Sequence, residues 1–220
     1  MNKFTFKQIV LPIVTLAIIL FIYFGPITRT IFENIIIPVV IIAAYYLEYK
    51  GKAFSSLGFY REKFTAKNLL IFAPLTAFGL FVFYVAALVP AVEMLTGDPI
   101  VYANMEELRG NLPSTLIWLG VVWVTAGFGE EIIFRGFLMR QLVKFFGDNK
   151  ISLAISIIVI SSFFGYMHMQ QGLTGQLVSA TVGSLLSIIF YIRKYDLWFL
   201  IMIHGFFNTF GILSFYFGLA

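Results

Sequence analysis

Apolar residues run along this chain in long blocks, and the stretches between them gather its charges and many of its Gly, Asn and Pro residues. About 20 apolar residues cross a bilayer core. The blocks predict seven membrane helices, at 8–25, 33–48, 68–95, 114–134, 151–168, 174–192 and 197–217. The first follows Lys3 and Lys7, a flank that a signal peptide also carries. It is longer than a usual signal core and runs into Phe24, Gly25 and Pro26 with no small-x-small cleavage site, so it is read as a retained helix. After it Arg29 and Glu33 cancel, which leaves room for an eighth, re-entrant or interfacial helix near the N-terminus. The expected fold is all-α: a polytopic membrane bundle of about seven to eight transmembrane helices. Two regions are expected, 1–113 with N-terminal membrane helices and a cytoplasmic loop, and 114–217 as the core that carries the chemistry.

Composition agrees with the pattern. The chain is 60% hydrophobic and 12% charged, with a mean hydropathy of +0.93, whereas a soluble domain is about 45–50% apolar and about 25% charged. It has no cysteine, which removes disulfides, thiolate nucleophiles and thiolate metal sites. The net charge of +4 forms no basic stripe with interleaved aromatics, so no nucleic-acid partner is expected. Instead the cations fall in alternate connections. Lys50, Lys52, Arg61, Lys63 and Lys67 lie in one, Arg135, Arg140, Lys144 and Lys150 in another, and Arg193 and Lys194 in a third. By the positive-inside rule these three face the cytoplasm. The opposite connections hold Asp98, Glu106, Glu107 and Arg109, or no charge at all in 169–173.

Residues 52–67 read as a polar cytoplasmic connection with a short amphipathic piece lying on the membrane surface. In the sixth block Gly175, Ser179, Gly183 and Ser187 recur every four residues. Such a stripe lets a neighbouring helix approach closely, so its expected role is packing.

Ionisable groups inside a membrane are expensive and usually mark function. Here they are few: Glu130, Glu131 and Arg135 in "GFGEEIIFRGF", His168 on the fifth span, and His204 with Asn208 on the seventh. Residues four apart share a helical face. Glu131 and Arg135 are therefore expected to pair, leaving Glu130 about 100° away as the free carboxylate; Phe164 shares a face with His168, and His204 with Asn208. Glu130 and His168 lie equally far from a turn placed at position 149, which sets them at similar depth. His204 is closer to its own turn. It joins that layer only if the 135–150 helix runs past the bilayer, or along its surface, for about two or three turns.

A carboxylate in apolar surroundings suits general-base work on water. Glu130 can take a proton from water and return it to a leaving amine, with His168 holding or polarising that water. His204 and Asn208 can donate to the oxyanion. The same groups also fit a structural ion pair, a proton or ion relay, or a divalent metal such as zinc held by Glu130, His168 and His204. No H-E-x-x-H is present. Nor is there a pair of interrupted apolar segments of the kind that marks a transporter with inverted repeats.

Three motifs stand in order on successive helices: "EEIIFR" fits E-E-x-x-x-R, "FGYMH" from Phe164 to His168 fits F-x-x-x-H, and "HGFFN" from His204 to Asn208 fits H-x-x-x-N. Together they resemble the CPBP intramembrane protease family, which includes the type II CAAX prenyl endopeptidase and the bacterial Abi proteins. The resemblance covers about 115–210 and implies a multi-pass endopeptidase of the bacterial cytoplasmic membrane acting on a hydrophobic or lipidated peptide. It also implies roles: Glu130 and His168 activate water, His204 and Asn208 form the oxyanion hole, and Glu131, Arg135 and Phe164 support the site. On a glutamate-dependent mechanism no cofactor is needed, and the metal alternative stays open. Relatives remove the last three residues of prenylated proteins, process bacteriocins or other peptides, or serve as immunity and scaffold proteins, so a non-catalytic protein that keeps the fold is the alternative.

Overall fold

The computed structural model describes residues 4–25, 32–102 and 105–219. Lys3, Arg29 and the connection 26–31, where an extra helix had room, lie outside the described residues. Apart from short 3-10 turns, eight helices follow in order among the described residues: α1 (Phe6–Phe24), α2 (Glu33–Tyr49), the short α3 (Ala53–Leu57), α4 (Asn68–Thr96), α5 (Leu112–Phe146), α6 (Lys150–Tyr166), α7 (Gly172–Ile192) and α8 (Leu197–Tyr216). No strand occurs among the described residues. α1, α4, α5, α8 and α7 with its leading turn are long and apolar enough to cross a membrane. α2 and α6, at 17 residues each, are about 25 Å long at 1.5 Å per residue. The chain is an integral membrane protein built as an all-α bundle.

Local sequence sets the helix starts. Thr5 and Gln8 form a capping box on α1, Asn111 accepts from the Ser114 N–H at 3.2 Å on α5, Asn149 accepts from Ile151 and Ser152 on α6, and Asp196 accepts from Phe199 on α8. α5 is the centre of the bundle. Every residue of Ile132–Met139 is buried, the charged Arg135 among them. α2, α6 and α8 pack against it. Its backbone runs in π geometry over Trp123–Glu130 and again over Ile132–Met139, a rare i→i+5 form that is frequent at functional sites.

The ends of the bundle match the charge pattern. At the basic end Lys63 Nζ donates to the carbonyls of Arg193 and Lys194 at 3.0 and 3.1 Å, and Tyr195 Oη donates to Asp148 at 3.3 Å. Lys144 meets Glu48 at 2.7 Å beside the start of α1. At the other end Val101 N donates to Gln171 O and Gly110 N to Tyr216 O, at 3.2 and 3.0 Å.

Two boundaries differ from the sequence expectation. α5 does not stop near 134. Gly136 packs beside Leu197, the first residue of α8, so 137–146 carries α5 about 15 Å further, which meets the height condition on His204. α6 ends at Tyr166, which leaves His168 beyond the helix and not on its face. The amphipathic piece in 52–67 is the short α3, which buries Ala53 and Leu57 in the core and leaves Phe54 exposed on its other face. Gly58, at φ 106°, ends it in a conformation that favours glycine.

Candidate active site

Arg135 and Glu131 are both fully buried, and they pair at 2.8 Å between Nη1 and Oε1. A buried guanidinium is stable only when its remaining donors are satisfied. Nη2 donates to Gly183 O at 2.9 Å, Nε donates to Ser187 Oγ at 3.4 Å, and the guanidinium lies 4.9 Å from the centre of the Phe164 ring. Ser187 also donates to Gly183 O, at 2.8 Å. Thus two members of the small-residue stripe do more than pack. At Gly183 an added Cβ would stand 3.1 Å from the Phe164 ring and 3.5 Å from Arg135 Nη2, so the bare backbone is what lets these groups come this close.

His204 of α8 reaches the same carboxylate. Its Nδ1 lies 2.7 Å from Glu131 Oε1, and a carboxylate oxygen paired with Arg135 can only accept, so Nδ1 carries the proton. The ring is thereby oriented with Nε2 toward Glu130, 4.0 Å from Oε2. Glu130 itself is half-buried, with 15% of its side chain exposed. Its Oε1 accepts from Asn34 Nδ2 at 3.3 Å, and Asn34 Oδ1 accepts from Tyr23 Oη at 3.1 Å. Its Oε2 is buried with no hydrogen-bond partner among the described residues. π geometry brings successive side chains closer in angle than the 100° of an α-helix, which suits one imidazole facing both carboxylates.

His168 follows the end of α6. Its Nδ1 donates to the Phe164 carbonyl at 2.8 Å, which leaves Nε2 as an acceptor when the ring is neutral. The Phe164 ring stands between the imidazoles, 4.7 Å from His168 and 6.3 Å from His204, centre to centre. Asn208, one turn beyond His204 on α8, is half-buried. Direct contacts therefore join Glu131, Arg135, Phe164 and His204, with Glu130 facing His204. His168 joins through Phe164, and Asn208 is placed by helical spacing alone.

Among the described residues no three His, Asp or Glu side chains gather to hold one metal ion. With one arginine against two carboxylates, the centre is balanced in charge when His204 is an imidazolium.

Tyr23 and Asn34 are not legible as site residues in the sequence. Asn34 stands at the edge of an apolar block beside Glu33, where a polar residue looks like a helix-start or interface residue.

Residues 112–210 match the family model Rce1-like, described as type II CAAX prenyl endopeptidase Rce1-like. No curated protein and no solved structure matches the chain. The matched segment begins with α5 and ends within α8. It contains every site residue named from the sequence and excludes Tyr23 and Asn34.

Proposed function

We propose that this chain, Rce1-like over residues 112–210, is an intramembrane endopeptidase of the cytoplasmic membrane that hydrolyses a peptide bond in a hydrophobic or lipidated substrate through carboxylate-activated water. At the level of family the match supports a CAAX-type membrane protease; the mechanism is argued from the geometry. One observation carries it: His204 is held by Glu131 at 2.7 Å while Glu130 Oε2, buried and without a partner among the described residues, stands 4.0 Å from His204 Nε2. That gap is too long for a hydrogen bond, so the oxygen is free to take a proton.

Water attacks the scissile carbonyl carbon as Glu130 Oε2 removes its proton, and His168 Nε2 accepts from the same water and fixes its lone pair. The carbonyl oxygen becomes an oxyanion. His204 donates to it from Nε2, which requires the imidazolium form because the Nδ1 proton is committed to Glu131. Asn208 supplies the second donor from its amide. Removing one such donor typically lowers the rate by about 10²–10³. Collapse of the tetrahedral intermediate breaks the C–N bond, and Glu130 returns its proton to the leaving amine, so the residues end as they began. Glu131 and Arg135 orient His204 and do not touch the reacting atoms.

The test is cleavage of a quenched-fluorescence farnesylated peptide by the purified protein, with the products identified by mass. Cleavage is expected from the wild type and not from Glu130→Ala or His168→Ala. Cleavage by both variants at the wild-type rate would remove the assigned roles.

A further inference from the structure

We infer that Tyr23 and Asn34 are positioning residues of this site, so that the first two helices complete a catalytic centre whose other members all lie in 112–210. This rests on Glu130 being the carboxylate that activates water. Asn34 reaches Glu130 because α2 and α5 touch at Gly129, where an added Cβ would collide with the Asn34 carbonyl oxygen. Only a residue without a side chain permits that approach, and it falls directly beside Glu130.

The orientation of the Asn34 amide follows from its neighbours. A carboxylate can only accept, so Nδ2 faces Glu130 Oε1 at 3.3 Å, and Oδ1 is left to accept from Tyr23 Oη at 3.1 Å. The three groups form a directed chain, hydroxyl to amide to carboxylate, in which each hydrogen bond polarises the next. Tyr23 is itself fixed by edge-on packing against Phe163, 6.2 Å between ring centres. Asn34 otherwise lies on a helix whose buried positions include Ile37 and Ile41, and an apolar residue there would serve packing equally well. What the amide adds is control of one oxygen. With Oε1 held by Asn34, the carboxylate cannot rotate freely, and Oε2 remains the oxygen that faces His204 and the water.

The experiment compares Asn34→Ala, Tyr23→Phe and the double variant in the full-length protein, using the farnesylated peptide. Asn34→Ala is expected to lower kcat by about 10–100-fold, the worth of a hydrogen bond to a charged group, with KM little changed because substrate binding is not touched. Tyr23→Phe keeps the ring and lowers kcat less. The double variant should be no slower than Asn34→Ala, because Tyr23 acts only through Asn34. Full multiplication of the two effects, or losses in KM and not kcat, would overturn the inference. A second readout needs no activity: the infrared carboxylate band of Glu130, assigned by its loss in Glu130→Gln, should shift in both single variants, and an unmoved band would overturn the inference. If the wild type cleaves no peptide, the peptidase proposal fails while the infrared result still decides whether Asn34 holds Glu130.

Discussion

His204 Nδ1 and Glu131 Oε1 lie 2.7 Å apart, and the same carboxylate oxygen meets Arg135 Nη1 at 2.8 Å. One oxygen thus joins the central helix α5 to α8, while Arg135 extends the link to α7 through Gly183 and Ser187. The chain of contacts fixes the imidazole ring that faces Glu130. Its members are buried, so a loss at any point leaves an uncompensated group in low dielectric.

The first expectation concerns that arginine. Arg135→Met should destabilise the protein by about 3–5 kcal/mol, the range for breaking one side of a buried pair. Arg135→Lys should recover only part of the loss, because a single ammonium cannot reproduce the planar fork that reaches Glu131, Gly183 and Ser187. Thermal unfolding in detergent, followed by circular dichroism, checks both; wild-type stability in Arg135→Met would contradict the role given to the ion pair.

Glycines that mark helix contacts should separate from glycines that do not. At Gly165 an added Cβ would stand 2.5 Å from the Gln176 carbonyl and 2.8 Å from the Ala180 side chain, so α6 and α7 would have to part. Gly165→Ala is expected to cost about 1–3 kcal/mol by overpacking. Gly79 and Gly120 have nothing within 4 Å of such an atom. There the same change should be neutral or stabilising by up to about 1 kcal/mol, since alanine is the better helix former. The melting temperatures of the three variants give the comparison directly.

Asp196 predicts a pH dependence. It is fully buried at the start of α8, accepts from Phe199 N–H at 3.3 Å through Oδ1, and has no hydrogen-bond partner for Oδ2 among the described residues, that oxygen lying 4.0 Å from Arg193 Nη2. Burial pushes its carboxyl above the usual aspartate range, opposed in part by the Phe199 N–H and by Lys63 and Arg193. A folded-state value above the unfolded one means that the stabilising contribution is present below the unfolded value and is lost as pH rises through the folded one. At neutral pH, above the unfolded value, the carboxyl therefore contributes less to stability than it does in acid. An asparagine in its place would keep the capping oxygen without the charge, so Asp196→Asn should unfold at a higher temperature than the wild type at pH 7. The gap should close as pH falls into the ordinary aspartate range, and a gap that widens on acidification would contradict the sign.

Much of this is legible because membrane burial writes itself into hydropathy. Seven apolar blocks correspond to seven helices, and the Lys and Arg clusters come together at one end, where Lys63 meets the turn at Arg193 and Lys194. The spacing of Glu131 and Arg135 predicts their pairing, because i,i+4 geometry is local. What the sequence hides is long-range or backbone-borne. Asn34 meets a carboxylate 96 positions away, and no local pattern encodes that. Gly183 serves Arg135 through its carbonyl, a group that every residue has, so the stripe shows close approach but not its purpose. An apolar block that runs unbroken to His168 predicts a helix through that residue. The helix ends at Tyr166, and the His168 ring instead bonds back to Phe164.

The most direct measurement is the hydrolysis rate of the farnesylated peptide by Glu130→Gln, which keeps the shape of the side chain and its hydrogen bond to Asn34 but cannot accept water's proton. With the folded fraction matched to wild type, the rate should fall by about 10²–10⁴-fold while peptide binding persists. Turnover equal to that of the wild type would show that water is activated elsewhere and that Glu130 is not its base.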